Sequence, residues 1–128
     1  MRGVRPERGS AAVEFALVLP ILLIVALGLV QVGLILRDQL VLVEAARAGA
    51  REASVTDQEA DIRGAVSRAA STLDAARVDV SVIREGGQGD PVTVRLNYDE
   101  SPLIPLVGWL FPSTIHLGAG ATMRQEFG

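Results

Sequence analysis

The most prominent feature of the chain is an unbroken apolar segment near the start of the sequence. Residues 15–36 hold no charged side chain and one strongly polar one, Gln31. As an α-helix this segment would be about 33 Å long, which matches a hydrocarbon core of about 30 Å. The pattern therefore predicts a membrane-spanning helix and argues against a purely soluble globular protein.

After the apolar segment, the helical pattern continues and a second helix is predicted. The first helix is expected to begin near residues 10–12 and to extend to about Ser54, with an apolar stripe at helical spacing. The stripe consists of Leu40, Val43, Ala46, Ala50 and Ala53. Thr56 and Glu59 match a capping box, so a second helix is predicted over residues 57–73. Its expected buried face is Ile62, Ala65, Val66, Ala69 and Leu73.

Three segments with strand-like alternation follow and predict a small antiparallel sheet. The alternation in residues 78–83 and 92–98, joined by the glycine-rich residues 86–91, is typical of a β-hairpin. Residues 115–123 predict a third strand, whereas three prolines exclude a central strand or a regular helix from residues 101–112. The predicted fold is α+β, with a long transmembrane helix that continues outside the membrane, a short second helix and the small sheet.

The charges on the two sides of the apolar segment differ in sign. Three arginines lie within the first nine residues, whereas residues 38–128 carry 8 arginines against 13 acidic residues. The positive-inside rule therefore predicts a cytoplasmic N-terminus and an extracytoplasmic C-terminus. We expect a leader (1–9), a transmembrane helix (10–36) and an exported domain (37–128). The transmembrane helix is expected to contribute nothing to the core of that domain.

Composition excludes several classes of function. The net charge of −3 gives no general signal for nucleic-acid binding, and the absence of cysteine excludes disulfides, thiolate metal sites and a cysteine nucleophile. His116 is the only histidine and alternates onto the polar side of its strand. No serine lies in a nucleophile-elbow pattern that it could serve. We therefore expect no catalytic site, no metal site and no cofactor.

A carboxylate lies directly against the start of the apolar segment. Glu14 is followed by Phe15, and Gly9 precedes Glu14 by five residues. An acid in the first turn of a helix is favoured by the helix dipole, which would explain Glu14 without a special function. The arrangement also resembles the class III signal of type IV pilin-like proteins. That resemblance implies cleavage by a prepilin peptidase between Gly9 and Ser10 on the cytoplasmic side.

In such proteins Glu14 would face the freed α-amino group of a neighbouring subunit. A carboxylate at the membrane boundary is unfavourable unless it is paired, and a new N-terminal amine supplies the opposite charge. The resemblance therefore gives Glu14 and Phe15 a role in recognition and assembly.

Longer blocks of sequence point to one family among the pilin-like proteins. Residues 9–20, 45–51 and 121–126 resemble the TadE-like family, the minor pilins or pseudopilins of the tight-adherence (Tad/Flp) pilus. The resemblance implies partners among membrane lipid, the prepilin peptidase, other Tad pilins and pseudopilins, and assembly-platform proteins, but no nucleic acid. It also implies a location in the bacterial cytoplasmic membrane and, after assembly, in the pilus. The exported domain distinguishes the chain from the very short major Flp pilins.

Several residues in the transmembrane segment have more than one interpretation. Pro20 is tolerated in a lipid-embedded helix, or it helps the helix bend within a bundle. Gly28 and Gly33 favour helix–helix packing. Gln31 either hydrogen-bonds across helices or is a single tolerated amide.

Three residues outside the segment are candidates for partner contacts. Arg47 and Arg51 are expected to contact lipid phosphates or a partner, unless Arg47 pairs locally with Glu44. Trp109 is interpreted as a plug in the core, with an exposed docking patch at residues 103–111 as the alternative.

Two functions of different classes follow from these observations. The first is a TadE-like minor pilin or pseudopilin that contributes to assembly of a Tad/Flp pilus. The alternative is an unprocessed, single-span binding or scaffold protein of the cell envelope. That protein would keep residues 1–9 and would be indifferent to the charge of Glu14.

Overall fold

A long N-terminal helix, α1, is the largest element of the structure. The computed structural model describes residues 7–128, and α1 extends over Glu7–Val55 without interruption at Pro20. The predicted end near Ser54 is confirmed, but the predicted start near residues 10–12 is wrong. The remaining leader residues, 1–6, lie outside the described residues.

A short helix and three strands complete the fold. The elements are α2 (Glu59–Ala69), β1 (Val78–Arg84), β2 (Pro91–Glu100) and β3 (Ile115–Arg124), with 3-10 turns at Ala75–Arg77 and Pro105–Leu110. The strand order is β1-β2-β3, and both strand pairs are antiparallel. The predicted α+β class, the hairpin and the third strand are confirmed. Residues 101–112 form neither a strand nor an α-helix, as predicted.

The core lies between one face of the sheet and the C-terminal half of α1. The fully buried apolar side chains of α1 are Leu42, Ala45, Ala46, Ala50 and Ala53. The side chains that β2 contributes to this hydrophobic core are Val92, Val94, Leu96 and Tyr98. Because the buried stripe of α1 is mostly alanine, its backbone lies close to its neighbours. A Cβ on Gly49 would lie 2.7 Å from Val66 Cγ2 and 3.1 Å from Val94 Cγ1.

Two details of the predicted helical faces are wrong. Leu40 is 67% exposed, and Leu42 takes its place in the core. Ala46 follows Leu40 by six residues, and at about 100° per residue this places the two side chains about 120° apart around the helix. Ala69 is exposed and Ala70 is buried instead, because α2 ends at Ala69 and the chain turns there.

The start of α2 also differs from the capping-box prediction. The helix begins at Glu59 with Gln58 as its N-cap, and it ends four residues before Leu73. Thr56 Oγ1 accepts a hydrogen bond from the Gln58 N–H at 3.2 Å instead of capping the first turn. A threonine hydroxyl that bonds two residues ahead forms a local turn, which competes with N-capping.

The C-terminal end of α1 is held by an arginine that periodicity does not single out. Arg84 Nη1 donates to the Ala53 carbonyl at 2.9 Å and to Gln125 Oε1 at 2.8 Å, and Nη2 donates to the Thr56 carbonyl at 2.8 Å. Gln125 in turn donates to two carbonyls of the hairpin loop. Because a cation at a helix C-terminus satisfies exposed carbonyls and complements the dipole, these bonds tie the hairpin and the C-terminal residues to α1.

Candidate assembly and membrane-facing site

The N-terminal half of α1 lies outside the folded domain. Within residues 8–55, an 18-residue stretch has a mean hydropathy of 2.8, and none of that stretch is buried. Its large side chains include Leu17, Ile21 and Leu29, which are 63–69% exposed. Such a surface is unfavourable in water, so the helix is compatible with a single membrane anchor.

The predicted processing and assembly residues lie in the first turns of α1. Gly9 and Ser10 are helical and exposed, and are not part of an extended leader. Glu14 is exposed as well, and Phe15 is 61% exposed. Among the residues that the structure describes, none forms an ion pair with Glu14. These four residues therefore share one accessible helical segment, while cleavage and pairing stay predictions.

The small residues of the apolar segment face open space. A Cβ built on Gly28 or Gly33 meets no atom within 4 Å. Pro20 lies within the continuous helix. The surface around these residues is available for packing against another helix, and this use of it stays a prediction.

Gln31 fits neither of its two predicted interpretations, because it binds a loop of its own chain. Its side chain is fully buried, and Oε1 accepts hydrogen bonds from the Leu103 N–H at 3.0 Å and the Ile104 N–H at 3.1 Å. Its Nε2 is buried and finds no partner within residues 7–128. The prediction that the transmembrane segment contributes nothing to the exported domain is therefore wrong here. Two N–H groups against an apolar surface need an acceptor, and Gln31 provides it.

The 3-10 turn at Pro105–Leu110 exposes its largest side chain. Trp109 is 73% exposed and Leu106 is 66% exposed, whereas Val107 is fully buried. The interpretation of Trp109 as a core plug is therefore wrong, and the alternative of an exposed apolar patch describes this loop. In a 3-10 helix, residues three apart share one side, which places Leu106 and Trp109 together and away from Val107.

A carboxylate pair lies just beyond the apolar segment. Asp38 is 7% exposed and Glu100, at the end of β2, is 9% exposed. The Arg37 guanidinium donates to Asp38 Oδ1 at 3.0 Å from Nε and lies 2.9 Å from it at Nη2. Burial, a hydrogen bond with Asp38 and the charge of Asp38 raise the pKa of Glu100, while the charge of Arg37 acts in the opposite direction. Sequence analysis missed this pair because its members are distant in sequence.

The remaining candidates are on the surface of the folded domain. Arg47 forms a local ion pair with Glu44 at 2.9 Å, which is the simpler of its two interpretations. Arg51 is exposed beside the groove between α1 and α2. His116 is exposed and contacts Asp99 on the neighbouring strand. In the described part of the chain, no group of three or more His, Cys, Asp or Glu side chains could hold a metal ion.

The comparison with known protein families identifies the first part of the chain. Residues 9–51 match the family model described as TadE-like protein. No curated protein and no solved structure matches the chain. The matched residues extend from the predicted processing site to the buried alanine stripe of α1, so the sheet lies outside the match. The resemblance to the TadE-like family is thereby confirmed over residues 9–51.

Proposed function

We propose that the chain is a TadE-like minor pilin or pseudopilin of a Tad/Flp pilus, matured by a prepilin peptidase between Gly9 and Ser10. The observation that carries the proposal is the two-part helix α1. Its N-terminal half is apolar and exposed, its C-terminal half is the support of the domain, and the family match covers residues 9–51. In this proposal the N-terminus is cytoplasmic and residues 37–128 are extracytoplasmic, as the charge distribution favours.

The role of Glu14 follows from its distance to the new N-terminus. Cleavage after Gly9 would place a positive α-amino group on Ser10, four residues before Glu14. Four residues of helix correspond to about 6 Å along the axis. A neighbouring subunit shifted by about one helical turn would bring its Glu14 level with that amine. The pair would fix the axial register between subunits, because both charges lie at the apolar boundary and are unfavourable there when unpaired.

Lateral packing would use the exposed apolar half of α1. Gly28 and Gly33 leave open surface on which a second helix can approach closely, and no residue of the exported domain occupies it. The exported domain would then lie on the outside, where it contacts other components of the pilus or its assembly machinery.

Replacement of Glu14 tests this proposal. The Glu14→Ala variant is expected to insert into the membrane normally, because the apolar segment is unchanged, but not to enter sheared pili. The matched control is Glu44→Ala, which removes an exposed carboxylate from the same helix outside the membrane and is expected to be incorporated normally. Both variants are measured by immunoblotting membrane and pilus fractions of a strain that lacks the native protein. Normal incorporation of the Glu14→Ala variant would contradict the role of this residue.

The second candidate function is an unprocessed anchored scaffold or binding protein of the envelope. It is favoured by the helical conformation of Gly9, since α1 begins at Glu7 and the proposed cleavage site is not in an extended segment. This protein would retain its leader, and Glu14→Ala would leave its location and its interactions unchanged.

A further inference from the structure

The apolar loop of residues 103–110 lies alongside the apolar segment of α1 and not beyond its end at Leu36. The boundary of the apolar segment is marked by Arg37 and by the buried carboxylates of Asp38 and Glu100. After Glu100 the chain leaves the sheet, and the N–H groups of Leu103 and Ile104 reach Gln31 Oε1. Gln31 precedes the end of the apolar segment at Leu36 by five residues, which is about 7–8 Å of helix.

The surface of this loop resembles the lipid-facing surface of α1 and adjoins it. Residues 102–112 contain no charged side chain, and the indole N–H of Trp109 is their one polar side-chain group. Leu103, Leu106 and Trp109 are 71%, 66% and 73% exposed, although each is large and apolar. On the helix beside them, Val30 and Val32 are 54% and 42% exposed. The loop is bonded to Gln31, between these two valines in sequence, so its exposed apolar side chains lie near the exposed apolar surface of α1.

Several polar groups of the loop find partners within the protein. Gln31 accepts from two backbone N–H groups, and prolines at three positions of residues 101–112 have no N–H to satisfy. The backbone N–H of Phe111 donates to the Gly108 carbonyl, and the Trp109 indole N–H donates to the Leu106 carbonyl at 3.0 Å. Non-helical backbone is tolerated at membrane depth only when its polar groups are satisfied by protein.

We propose that residues 103–110 insert into the outer leaflet of the bilayer beside α1, with Trp109 at the boundary between headgroups and acyl chains. A depth of about 5–10 Å is typical of segments that lie in this interface, and tryptophan is enriched there. The occupant of the patch is lipid, because the patch lies at the level of a helix surface that itself faces lipid. The loop is a second contact with the membrane and fixes how the exported domain is oriented above it.

This inference depends on the membrane span in the proposed function, but not on cleavage or on pilus assembly. Trp109 is the only tryptophan, so its fluorescence reports on this loop alone. The full chain is reconstituted at one copy per lipid nanodisc, with bromine atoms on the upper acyl chains of the lipid or without them. Bromolipid quenching and quenching by aqueous iodide are then measured for the same sample.

Two variants calibrate the measurement. Trp109→Phe combined with Ala60→Trp places the reporter on the exposed surface of α2, remote from the bilayer. Trp109→Phe combined with Leu23→Trp places it in the middle of the apolar segment, where Leu23 is 53% exposed. The native Trp109 is expected to be quenched by bromolipid several-fold more than the α2 reporter, and by iodide several-fold less.

Each of the other outcomes would overturn the inference and would show which of its assumptions is wrong. Iodide quenching of Trp109 equal to that of the α2 reporter would mean that the loop lies in water. Protection from iodide without bromolipid quenching would mean that other parts of the same chain, and not lipid, cover the patch. An unquenched Leu23→Trp reporter would mean that the span itself fails, and with it the membrane part of the proposed function.

Discussion

The two halves of α1 are both apolar, but they have opposite surroundings. The N-terminal half presents leucine, isoleucine and valine side chains that are largely exposed, such as Leu17 and Leu29 at 69%. The C-terminal half buries a stripe that is mostly alanine at 0% exposure. Small side chains let the helix backbone approach the sheet and α2, whereas large aliphatic side chains suit a fluid hydrocarbon phase that needs no close fit. Side-chain size, more than hydrophobicity, therefore distinguishes the half that packs in the core from the half whose apolar surface is exposed.

The largest expected effect comes from truncating the one large side chain in the buried stripe. Leu42→Ala is expected to lower the free energy of unfolding of the exported domain by about 2–5 kcal/mol, because Leu42 is fully buried. The control Leu40→Ala, at a position that is 67% exposed, should change it by about 0.5 kcal/mol or less. Hydrogen exchange of the β2 amides in nanodiscs measures both. Equal effects at the two positions would contradict the assignment of the buried face.

The contact between the apolar half of α1 and the folded domain depends on Gln31. Gln31→Leu leaves the Leu103 and Ile104 N–H groups without their acceptor and should destabilise the domain by about 1–3 kcal/mol. Gln39→Leu is the matched control, because Gln39 also bonds to the domain, at the Gly118 carbonyl, but in an exposed place. Its expected effect is about 1 kcal/mol or less. A neutral Gln31→Leu variant, by the same exchange measurement, would mean that the loop does not need this acceptor.

Glycine-to-alanine substitutions compare the space around the two halves directly. At Gly49 the new methyl group would meet the stiff, buried side chains of Val66 and Val94. The expected destabilisation is about 1–2 kcal/mol after the gain in helix propensity is included. Gly28→Ala meets no atom within 4 Å and should leave the domain unchanged. Thermal unfolding of both variants in detergent micelles distinguishes them, and similar melting temperatures would contradict the close approach at Gly49.

The smallest expected effect is a pH dependence from Glu100. Its pKa is raised above the ordinary value of 4.5, so the folded state holds the proton more tightly than the unfolded state. This contribution is fully present below pH 4.5 and is lost as the pH rises through the raised pKa. The free energy of unfolding of the native protein, measured relative to that of Glu100→Gln, should therefore decrease as the pH rises from 4.5 through the raised pKa of Glu100.

Urea unfolding of the native protein and the variant at a series of pH values measures this difference. Glu44→Gln, at an exposed carboxylate, is the control and should leave the pH profile unchanged. Parallel profiles for the native protein and Glu100→Gln would contradict the raised pKa of Glu100 in the folded state.

Sequence periodicity predicted the elements better than it predicted contacts between distant residues. The apolar segment, the hairpin and the third strand have strong local patterns, and the structure contains all of them. Leu40 was misplaced because successive three-residue steps drift around a helix of 3.6 residues per turn. No local pattern reports that Gln31 bonds to Leu103, or that Arg84 caps the end of α1, because these partners are more than 25 residues apart.

The candidate site was predictable only in its local part. Gly9, Glu14 and Phe15 lie within one short block, and the family match includes that block. The interpretation of Trp109 as a core residue is wrong because an aromatic side chain in a proline-rich loop is ordinarily buried, and hydrophobicity alone does not distinguish a core position from a surface one. Only the position of the loop against Gln31 of α1 shows that this side chain lies outside the core.

The N-terminus of the mature protein tests the central claim most directly. The protein is purified from native membranes of cells that contain the prepilin peptidase, and its intact mass and terminal peptide are determined. The account predicts a mature chain that begins at Ser10, which gives α1 the free amine that Glu14 would pair with. A chain that retains residues upstream of Gly9 would contradict maturation as a pilin-like protein, and α1 would then be a permanent anchor.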